Sequence, residues 1–333
     1  MTLWAVDGRA LKPPRTGIGQ FLASLLPALS EKVPMSLAFP GPPRDLPPFR
    51  GDLLCGPNLP GSLWYHRWFG RLADGDALFC PLGVRPFGSV KQSVVVVHDL
   101  SVLLYPGWQS LKNRLTILPF LNDTARGSHL IVPSHQIKEE MLRYFRTARV
   151  TVIPHGWDPT PAAPAWERGL LPDEYFLFLG TLEPRKNPLL LINAWMAHPQ
   201  WPPLLLAGGA GWQVRLGRLP ANVRALGYVT EAEKQFLLRH ARALIYPSSY
   251  EGFGLPVLEA AALGVPVIAT RVPAAVEYEL PSWIPLALNE AGVEDAVRAA
   301  LSGHVSIEKA RVPSWNEIAA RYAEVLNDEA RCH

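Results

Sequence analysis

The chain has 333 residues, a length typical of two domains, and its 48% hydrophobic and 18% charged residues are typical of a globular protein. A formal net charge of +3 is too small for a dedicated nucleic-acid binder. Cys55, Cys80 and Cys332 are too widely separated in sequence to suggest a disulfide framework or a zinc site. Without a signal-peptide pattern or a run of about 18 apolar residues, the sequence predicts a cytoplasmic protein, soluble or peripheral at the inner face of the membrane.

Short apolar runs alternate with longer stretches of helical periodicity along the whole chain. Strands are predicted, in chain order, at Leu3–Val6, Ser36–Phe39, Ala77–Cys80, Val94–Val97, Leu130–Val132, Thr151–Ile153, Phe176–Leu179, Leu204–Ala207, Arg224–Leu226, Ala243–Tyr246, Val265–Ala269 and Pro285–Leu288. Helices are predicted at Phe21–Leu29, Gln136–Phe145, Pro188–Ala197, Glu231–Arg242, Pro256–Leu263 and Val293–Leu301. The strand runs are almost continuously hydrophobic, as in strands buried on both faces. This alternation predicts an α/β fold with parallel sheets.

A proline-rich segment without hydrophobic periodicity, residues 156–172, predicts a linker between two domains. The first domain is expected over 1–155 and the second over 173–312. A closing amphipathic helix is predicted over 315–330, where apolar residues recur at helical spacing, and we expect it to pack back on the first domain. Two such parallel sheets, facing each other, would place a ligand cleft at the carboxyl ends of their strands.

The strongest functional signal is the segment YPSSYEGFGLPVLEA at residues 246–260. A strand is predicted to end near Tyr246, and Pro256 suits the first turn of the following helix. Backbone amides at such a helix start, together with the helix dipole, suit an anion such as a diphosphate. The Glu251 and Glu259 carboxylates could accept hydrogen bonds from sugar hydroxyls, for example those of a ribose. A simple helix-capping role for both glutamates is the alternative.

A second signal is the segment GTLEPRKN at residues 180–187, directly after the first predicted strand of the second half. Arg185 and Lys186 lie in a strand-to-helix loop, where they could neutralise a phosphate, Arg185 by its fork and Lys186 as a point charge. A solvated basic turn is the alternative. The position of the pair at the carboxyl end of a strand favours the functional interpretation.

Two weaker signals lie in the first half. His98 ends the buried run VVVV and could bond a substrate hydroxyl or exchange a proton, although a structural histidine fits as well. Gly17 and Gly19 lie in a predicted loop before the Phe21–Leu29 helix, where glycines permit close approach of a ligand. The sequence Asp74-Gly-Asp76 could hold a metal in another architecture, but it precedes a strand and is predicted to be an ordinary turn.

Together these segments resemble the retaining glycosyltransferases of glycosyltransferase family 4, which have the GT-B architecture. The matching segments are TGIG at 16–19, VVVVHDL at 94–100, VIPHG at 152–156, GTLEPRKN at 180–187, YPSSYEGFGLPVLEAAALGVPVIAT at 246–270 and SWNEIAARY at 314–322. Glu251 and Glu259 fit the E-x7-E motif of that family. The segment GTLEPRKN is most similar to bacterial, mannosyltransferase-like members. Because the family has the GT-B architecture, the resemblance implies two Rossmann-like, doubly wound parallel-sheet domains facing across a cleft.

The resemblance also implies a role for each candidate residue. It implies that the catalytic residues are His98, Lys186 and Glu251, and that the nucleotide ribose is bound by Glu259. It implies that the donor diphosphate is bound by Arg185, Lys186, Gly17, Gly19, Gly254 and Leu255. It implies that the donor sugar is bound by His98, Glu251, Gly252 and Phe253. One departure is that Thr181 follows Gly180, where many members have an arginine, so Arg185 is expected to supply that charge.

The implied reaction is retaining transfer of a sugar, with mannose favoured, from a nucleotide diphosphate sugar to a hydroxyl of a glycan or lipid-linked acceptor, in surface polysaccharide or glycoconjugate synthesis. Neither a cofactor nor a metal is expected. A noncatalytic nucleotide-sugar-binding homologue and a GT-B nucleotide-sugar epimerase are alternatives, which the candidate residues and the E-x7-E motif disfavour. A dinucleotide oxidoreductase is disfavoured because Leu22 interrupts the G-x-G-x-x-G pattern.

The acceptor side of the sequence is less specific. Residues 63–72 mix aromatic side chains with Arg67 and Arg71, and residues 108–121 place Lys112 and Arg114 among apolar residues. Both segments fit a surface that touches an anionic membrane or a lipid-linked acceptor. Aromatic core packing with extended arginine side chains fits them equally well.

Overall fold

The computed structural model describes residues 2–15, 17–72, 77–88, 92–109, 111–211, 214–303 and 305–331, except for the side chains of residues 112 and 113. The chain forms two compact units, residues 1–156 with 313–333 and residues 157–312. Asp74-Gly-Asp76 and Cys332 lie outside the described residues. Within the described part of the chain, no helix is long and apolar enough to span a bilayer.

Each unit has one β-sheet with helices on its faces. The strands are β1 (Trp4–Asp7), β2 (Met35–Pro40), β3 (Asp52–Gly56), β4 (Ala77–Cys80), β5 (Ser93–Val96), β6 (His129–Val132), β7 (Arg149–Val152), β8 (Phe176–Leu179), β9 (Leu204–Ala207), β10 (Val223–Gly227), β11 (Ala243–Tyr246), β12 (Val267–Ala269) and β13 (Trp283–Pro285). The helices are α1 (Gly17–Leu29), α2 (Gly61–Leu63), α3 (Gly70–Leu72), α4 (Ser101–Leu104), α5 (Leu111–Gly127), α6 (His135–Tyr144), α7 (Pro188–Ala197), α8 (Glu231–His240), α9 (Leu255–Leu263), α10 (Pro273–Glu277), α11 (Glu290–Leu301) and α12 (Trp315–Arg331). A π-helical turn, Trp64–Phe69, joins α2 to α3.

The sheet of the first unit has the strand order β3-β2-β1-β4-β5-β6-β7, and its described pairings are parallel. On one face, α1 and α12 pack together: Phe21 and Leu25 of α1 share a core with Ile318 and Tyr322 of α12. The last helix of the chain therefore completes the core of the first unit.

The sheet of the second unit has the strand order β10-β9-β8-β11-β12-β13, again with parallel pairings among its described residues. Side chains of α7 and α11 share a core on one face, and those of α8, α9 and α10 share a core on the other. Chain order runs outward in opposite directions from the pair β8 and β11. Loops after such a pair enclose a crevice at the carboxyl edge of the sheet, where open α/β sheets bind ligands.

Of the predicted linker, residues 156–172, Gly156 belongs to the first unit, whereas residues 157–172 belong to the second and contain neither helix nor strand. The amide of Ala163 donates to the carbonyl of Ala232, and the Arg168 guanidinium pairs with Glu233 at 2.9 Å. This segment is thus held by α8.

The sequence predicts most of the strands in both sheets but misses one of them. It predicts Ala77–Cys80, Phe176–Leu179, Leu204–Ala207 and Ala243–Tyr246 with the observed bounds. It misses β3, an edge strand whose side chains are largely exposed and whose sequence lacks a continuous apolar run. The prediction at Pro285–Leu288 is wrong in position, since β13 begins at Trp283 and ends at Pro285.

Gly17 and Gly19 do not lie in a loop, which corrects the prediction that α1 begins at Phe21. The helix begins at Gly17, so both glycines belong to its first turn. Gly19 is required for packing, because a Cβ there would collide with the carbonyl oxygen of Ala10. Gly17 has open space at the same point.

Candidate active site

The two loops that carry the candidate residues of the second unit meet beyond β8 and β11. The first passes through a short 3-10 turn, Pro184–Lys186, into α7, and the second runs from Tyr246 to α9. Asn187 joins them, because its side-chain amide donates to the Pro247 carbonyl and to Ser249 Oγ, each at 2.8 Å. Its φ of 46° lies in the left-handed region, which asparagine tolerates better than most residues.

Arg185 is fixed from two directions. Its Nε pairs with Glu183 Oε1 at 2.7 Å, and its Nη1 pairs with Glu251 Oε2 at 2.9 Å. The same Nη1 donates to the carbonyl of Tyr250 at 2.8 Å. The structure therefore brings Arg185 of the first loop directly against the second loop, with a carboxylate on either side of it.

Lys186 is buried, and its ammonium lies against the same carboxylate. Its Nζ is 3.8 Å from Glu251 Oε1 and donates to the hydroxyl of Tyr246 at 3.2 Å. Glu251 Oε1 in turn accepts hydrogen bonds from the Tyr246 hydroxyl at 2.9 Å and from Ser248 Oγ at 2.7 Å. Gly180 makes room for the lysine, since a Cβ there would lie 2.5 Å from Nζ. Hereafter, these groups are called the switch-point cluster, because they lie beyond β8 and β11, the pair of strands at which the chain order of the sheet reverses. The cluster consists of Arg185, Lys186, Tyr246 and Glu251.

The charges of this cluster are set by burial and by one another. Burial alone would raise the pKa of Glu251, but Lys186 and Arg185 outweigh it and lower that pKa. Burial lowers the pKa of Lys186, and Glu251 offsets this only in part. Burial also opposes the charge of Arg185, but Glu251 and Glu183 outweigh it and raise that pKa. An arginine, a lysine and a carboxylate of lowered pKa are thus held together at the carboxyl edge of the sheet.

The second loop ends at the start of α9. Gly254 has a φ of 99°, a left-handed conformation that suits glycine, and Leu255 is the first residue of the helix, one position before Pro256. Gly252 is buried, and the Phe253 side chain packs in the core, so any contact of Phe253 with a sugar would come from its backbone. The positive end of the α9 dipole thus follows directly on the loop that carries Glu251.

Glu259 lies inside α9 and is paired, like Glu251, with a lysine. Lys234 of α8 reaches its two carboxylate oxygens at 2.7 and 2.6 Å and also pairs with Glu231 at 2.9 Å. Burial raises the pKa of Glu259, and Lys234 offsets this only in part. Glu259 is therefore held by a cation that sequence reasoning did not single out.

The other predicted residues, His98, Gly17 and Gly19, belong to the first unit. His98 follows β5; its Nε2 lies 2.9 Å from the carbonyl oxygen of Pro81, and its ring stacks edge-on against Phe21 of α1 at 4.9 Å. Burial lowers its pKa, which the Pro81 carbonyl offsets only in part. An imidazole of lowered pKa thus lies near the helix that the two glycines begin.

Residues 63–72 contribute three aromatic side chains to the core, whereas Leu63, Arg67 and Arg71 are exposed. Trp64, Tyr65 and Phe69 are buried, with the rings of Tyr65 and Phe69 stacked at 5.5 Å, and the guanidinium of Arg9 lies 4.1 Å from the centroid of Tyr65. Of the two interpretations of this segment, aromatic core packing describes these three side chains.

Comparisons with known proteins show similarity to glycosyltransferases. Residues 167–281, which contain Arg185, Lys186, Glu251 and Glu259, match the family model described as Glycosyl transferases group 1. The chain is similar to the O-antigen chain mannosyltransferase B of Escherichia coli, with 31% identity over 255 residues that cover 69% of this chain and 64% of that protein. It thus spans less than two thirds of this relative's length.

Solved structures are similar along the whole chain. The sucrose-phosphate synthase of Thermosynechococcus elongatus superposes with a TM-score of 0.75 at 20% identity over 100% of both chains. Anabaena HepE in complex with UDP-glucose superposes with a TM-score of 0.65 at 17% identity over 99% of this chain and 98% of that one. The chain therefore has the GT-B glycosyltransferase fold of two Rossmann-like domains, and it carries a glycosyltransferase group 1 domain. Membership of family 4 stays a prediction.

Proposed function

We propose that this chain is a retaining, metal-independent glycosyltransferase of family 4. It transfers a sugar, with mannose favoured, from a nucleotide diphosphate sugar to a hydroxyl of a glycan or lipid-linked acceptor in surface polysaccharide or glycoconjugate synthesis. The observation that carries the proposal is the switch-point cluster, which joins two cations and a carboxylate within the matched domain. The name of the Escherichia coli relative supports mannose and O-antigen synthesis.

The chemistry of such a transfer requires fixed positive charge. As the bond between the anomeric carbon and the diphosphate breaks, negative charge grows on the leaving group while the sugar becomes oxocarbenium-like. Arg185, Lys186 and the start of α9 stabilise that charge in the proposed reaction. Each preorganised contact of this kind lowers a barrier by about 2–4 kcal/mol.

Glu251 has two roles in this proposal, one without the donor and one with the donor bound. Without a ligand it neutralises Arg185 and Lys186, which keeps the partly buried arginine and the buried lysine paired. With the donor bound, the diphosphate shares these cations, and Glu251 accepts hydrogen bonds from hydroxyls of the sugar. Glu259 binds the ribose in the same way.

In the proposed retaining step, the acceptor oxygen forms its bond to the anomeric carbon on the face that the diphosphate leaves. The acceptor proton passes to the leaving phosphate. In this proposal His98 contacts the donor sugar. The first turn of α1, with Gly17 and Gly19, binds near the diphosphate and the acceptor. These roles of first-unit residues rest on the family resemblance.

Peripheral contact with the membrane belongs to the acceptor side of the proposal. The supporting observation is a set of exposed apolar side chains on and beside α5, among them Phe87, Leu111 and Leu115. Arg114 on the same helix is exposed as well. A lipid-linked acceptor would reach the enzyme at such a surface.

The decisive experiment measures sugar transfer and the release of nucleoside diphosphate from GDP-, UDP- and ADP-sugars. A thermal-shift screen of these donors comes first, because a bound ligand stabilises the folded protein by mass action. We expect Lys186→Ala to lose activity by about 100-fold or more while the protein stays folded. Lys309→Ala, which removes an exposed lysine of the same unit, is the matched control and should retain activity.

Several outcomes would contradict the proposal. Binding without release of nucleotide would indicate the noncatalytic homologue, and conversion of the donor sugar without an acceptor would indicate the epimerase. Unchanged turnover of Lys186→Ala would remove that lysine from the mechanism. Metal independence is tested with excess chelator, which should leave the rate unchanged.

A further inference from the structure

Tyr246 is the last residue of β11, and its ring lies in the core of the second unit with 2% of the residue exposed. Its hydroxyl extends from that core to the switch-point cluster. It accepts a hydrogen bond from Lys186 Nζ at 3.2 Å and donates one to Glu251 Oε1 at 2.9 Å. The phenol oxygen therefore bonds to both the buried ammonium and the carboxylate, and the three polar atoms form a triangle.

The separation of these two charged groups is unusual for a buried ion pair. Lys186 Nζ and Glu251 Oε1 are 3.8 Å apart, beyond the 2.7–2.9 Å range, approximately, of direct charge-assisted hydrogen bonds. The pair of Lys234 and Glu259 in the same unit has no phenol between its members, and its distances are 2.7 and 2.6 Å. In the longer pair, both charged groups are hydrogen-bonded to the Tyr246 hydroxyl.

We propose that Tyr246 is a positioning residue that keeps Lys186 from closing onto Glu251, so that the ammonium stays available to the donor diphosphate. The role rests on the proposed function, since it assigns a purpose to the gap in the pair. Without the hydroxyl, Lys186 and Glu251 close to direct contact. The ammonium then moves away from the place where the diphosphate binds, and its charge is more fully neutralised.

The other side of Lys186 supports this assignment. Gly180 leaves no room for a side chain there, because a Cβ would lie 2.5 Å from Nζ and 3.1 Å from Cδ. The lysine therefore runs along the Gly180 backbone on one side and meets the Tyr246 hydroxyl at its tip. Arg185 and Ser248 fix the Glu251 carboxylate, and the phenol is the group that bonds to both Glu251 and Nζ.

A hydroxyl that merely satisfies the core is the competing explanation, and Tyr175 supplies the matched control. Tyr175 is also buried in the second unit, and its hydroxyl donates to the Leu237 carbonyl at 2.9 Å. It precedes β8 and thus lies at the opposite edge of the sheet. Tyr175→Phe removes one buried hydroxyl and its hydrogen bond without touching the switch-point cluster.

The experiment compares Tyr246→Phe with Tyr175→Phe in the full chain. Affinity for GDP, UDP and ADP is measured by calorimetry, Tm by thermal unfolding, and kcat and KM with the donor found for the wild type. We expect Tyr246→Phe to weaken nucleoside diphosphate binding by about tenfold and to raise the donor KM, while Tyr175→Phe binds like the wild type. Both variants should show a similar, small loss of Tm.

A double-mutant cycle with Glu251→Gln separates positioning from stability. Because a neutral amide attracts the ammonium less strongly than a carboxylate does, the effect of Tyr246→Phe on diphosphate affinity should shrink in the Glu251→Gln background. The role of Tyr246 would be overturned by additive effects of the two substitutions on affinity, or by equal losses of affinity in the two tyrosine variants. It would also be overturned by wild-type affinity in Tyr246→Phe, or by failure of Tyr246→Phe alone to fold. A wild type that binds nucleoside diphosphate but transfers no sugar would instead refute the proposed activity, and one that binds none would refute both.

Discussion

At the scale of single residues, Lys234 and Glu259 give a second prediction about the proposed nucleotide site. Burial opposes the charge of Lys234, but Glu259 and Glu231 outweigh it and raise its pKa. Removing the ammonium leaves Glu259 buried without its cation, so the pKa of Glu259 rises further and the carboxyl takes up a proton more readily. We expect Lys234→Gln to weaken binding of nucleoside diphosphates about fivefold to tenfold, because a protonated Glu259 is a poorer acceptor for ribose hydroxyls.

The measurement that checks this uses 2′,3′-dideoxynucleoside diphosphates beside the ordinary ones. If Lys234 acts through Glu259 on the ribose, Lys234→Gln should bind the dideoxy compounds as the wild type does. Glu231→Gln, which spares the pair of Lys234 and Glu259, is the control. Equal losses for both kinds of nucleotide would show that Lys234 supports the fold of α8 and α9 instead.

The residues of the switch-point cluster divide by how far the sequence could predict them. Arg185, Lys186 and Glu251 follow predicted strands as charged residues in glycine-containing loops, and that pattern identifies them. Tyr246 bonds to Lys186, 60 residues away in sequence, and Lys234 bonds to Glu259, 25 residues away, so neither contact can be predicted from the local pattern. Tyr246 has the composition of a strand residue, and only the pairing of β8 with β11 places its hydroxyl beside Lys186.

At the scale of elements, the buried strands are predictable because their apolar runs are continuous, whereas α5 is not predicted at all. Pro119 lies inside α5, and the apolar residues of the helix do not form one clear stripe. Leu111 and Leu115 are 67% and 64% exposed, so part of its apolar surface faces solvent. A pattern method that searches for a core-facing stripe fails on a helix of this kind.

The exposed side of α5 predicts binding to anionic vesicles. Leu111 and Leu115 lie one turn apart, Arg114 is beside them, and the ring of Phe87, itself 70% exposed, lies 6.2 Å from that of Phe120 in the same helix. We expect the protein to sediment with phosphatidylglycerol vesicles and to be released by salt, because anionic headgroups attract the arginine while the apolar side chains insert.

Leu115→Ser should weaken this sedimentation several-fold, since it removes an apolar side chain from the surface. Tyr144→Ser on α6 changes an exposed aromatic residue elsewhere in the first unit and is the control. Equal binding to phosphatidylcholine vesicles, or no binding to either kind, would contradict a membrane role for α5.

At the scale of the whole molecule, each unit has its own sheet and core, so each is expected to have its own response to pH. In the first unit, burial lowers the pKa of His155 well below its usual 6.5, and His98 lowers it further. Burial also lowers the pKa values of His98 and His129. All three histidines belong to the unit that α12 completes.

The sign of the pH effect follows from these directions. Below pH 6.5 these histidines bind more protons in the unfolded chain than in the folded first unit. The free energy of unfolding therefore falls as the pH drops from 6.5 through the lowered pKa values. For each such histidine the loss is at most about 1.4 kcal/mol per pH unit. We expect amide hydrogen exchange in first-unit peptides to speed up between pH 7 and 5, after correction for the intrinsic exchange rate.

His155→Gln should flatten this dependence by removing the histidine whose pKa is lowered by both burial and a neighbouring imidazole. His135→Gln, which changes an exposed histidine of the same unit, should leave the slope as in the wild type. His98 and His129 remain in both variants, so a residual slope is expected. A slope in His155→Gln equal to that of the wild type would show that His155 takes up its proton in the folded protein as readily as in the unfolded chain.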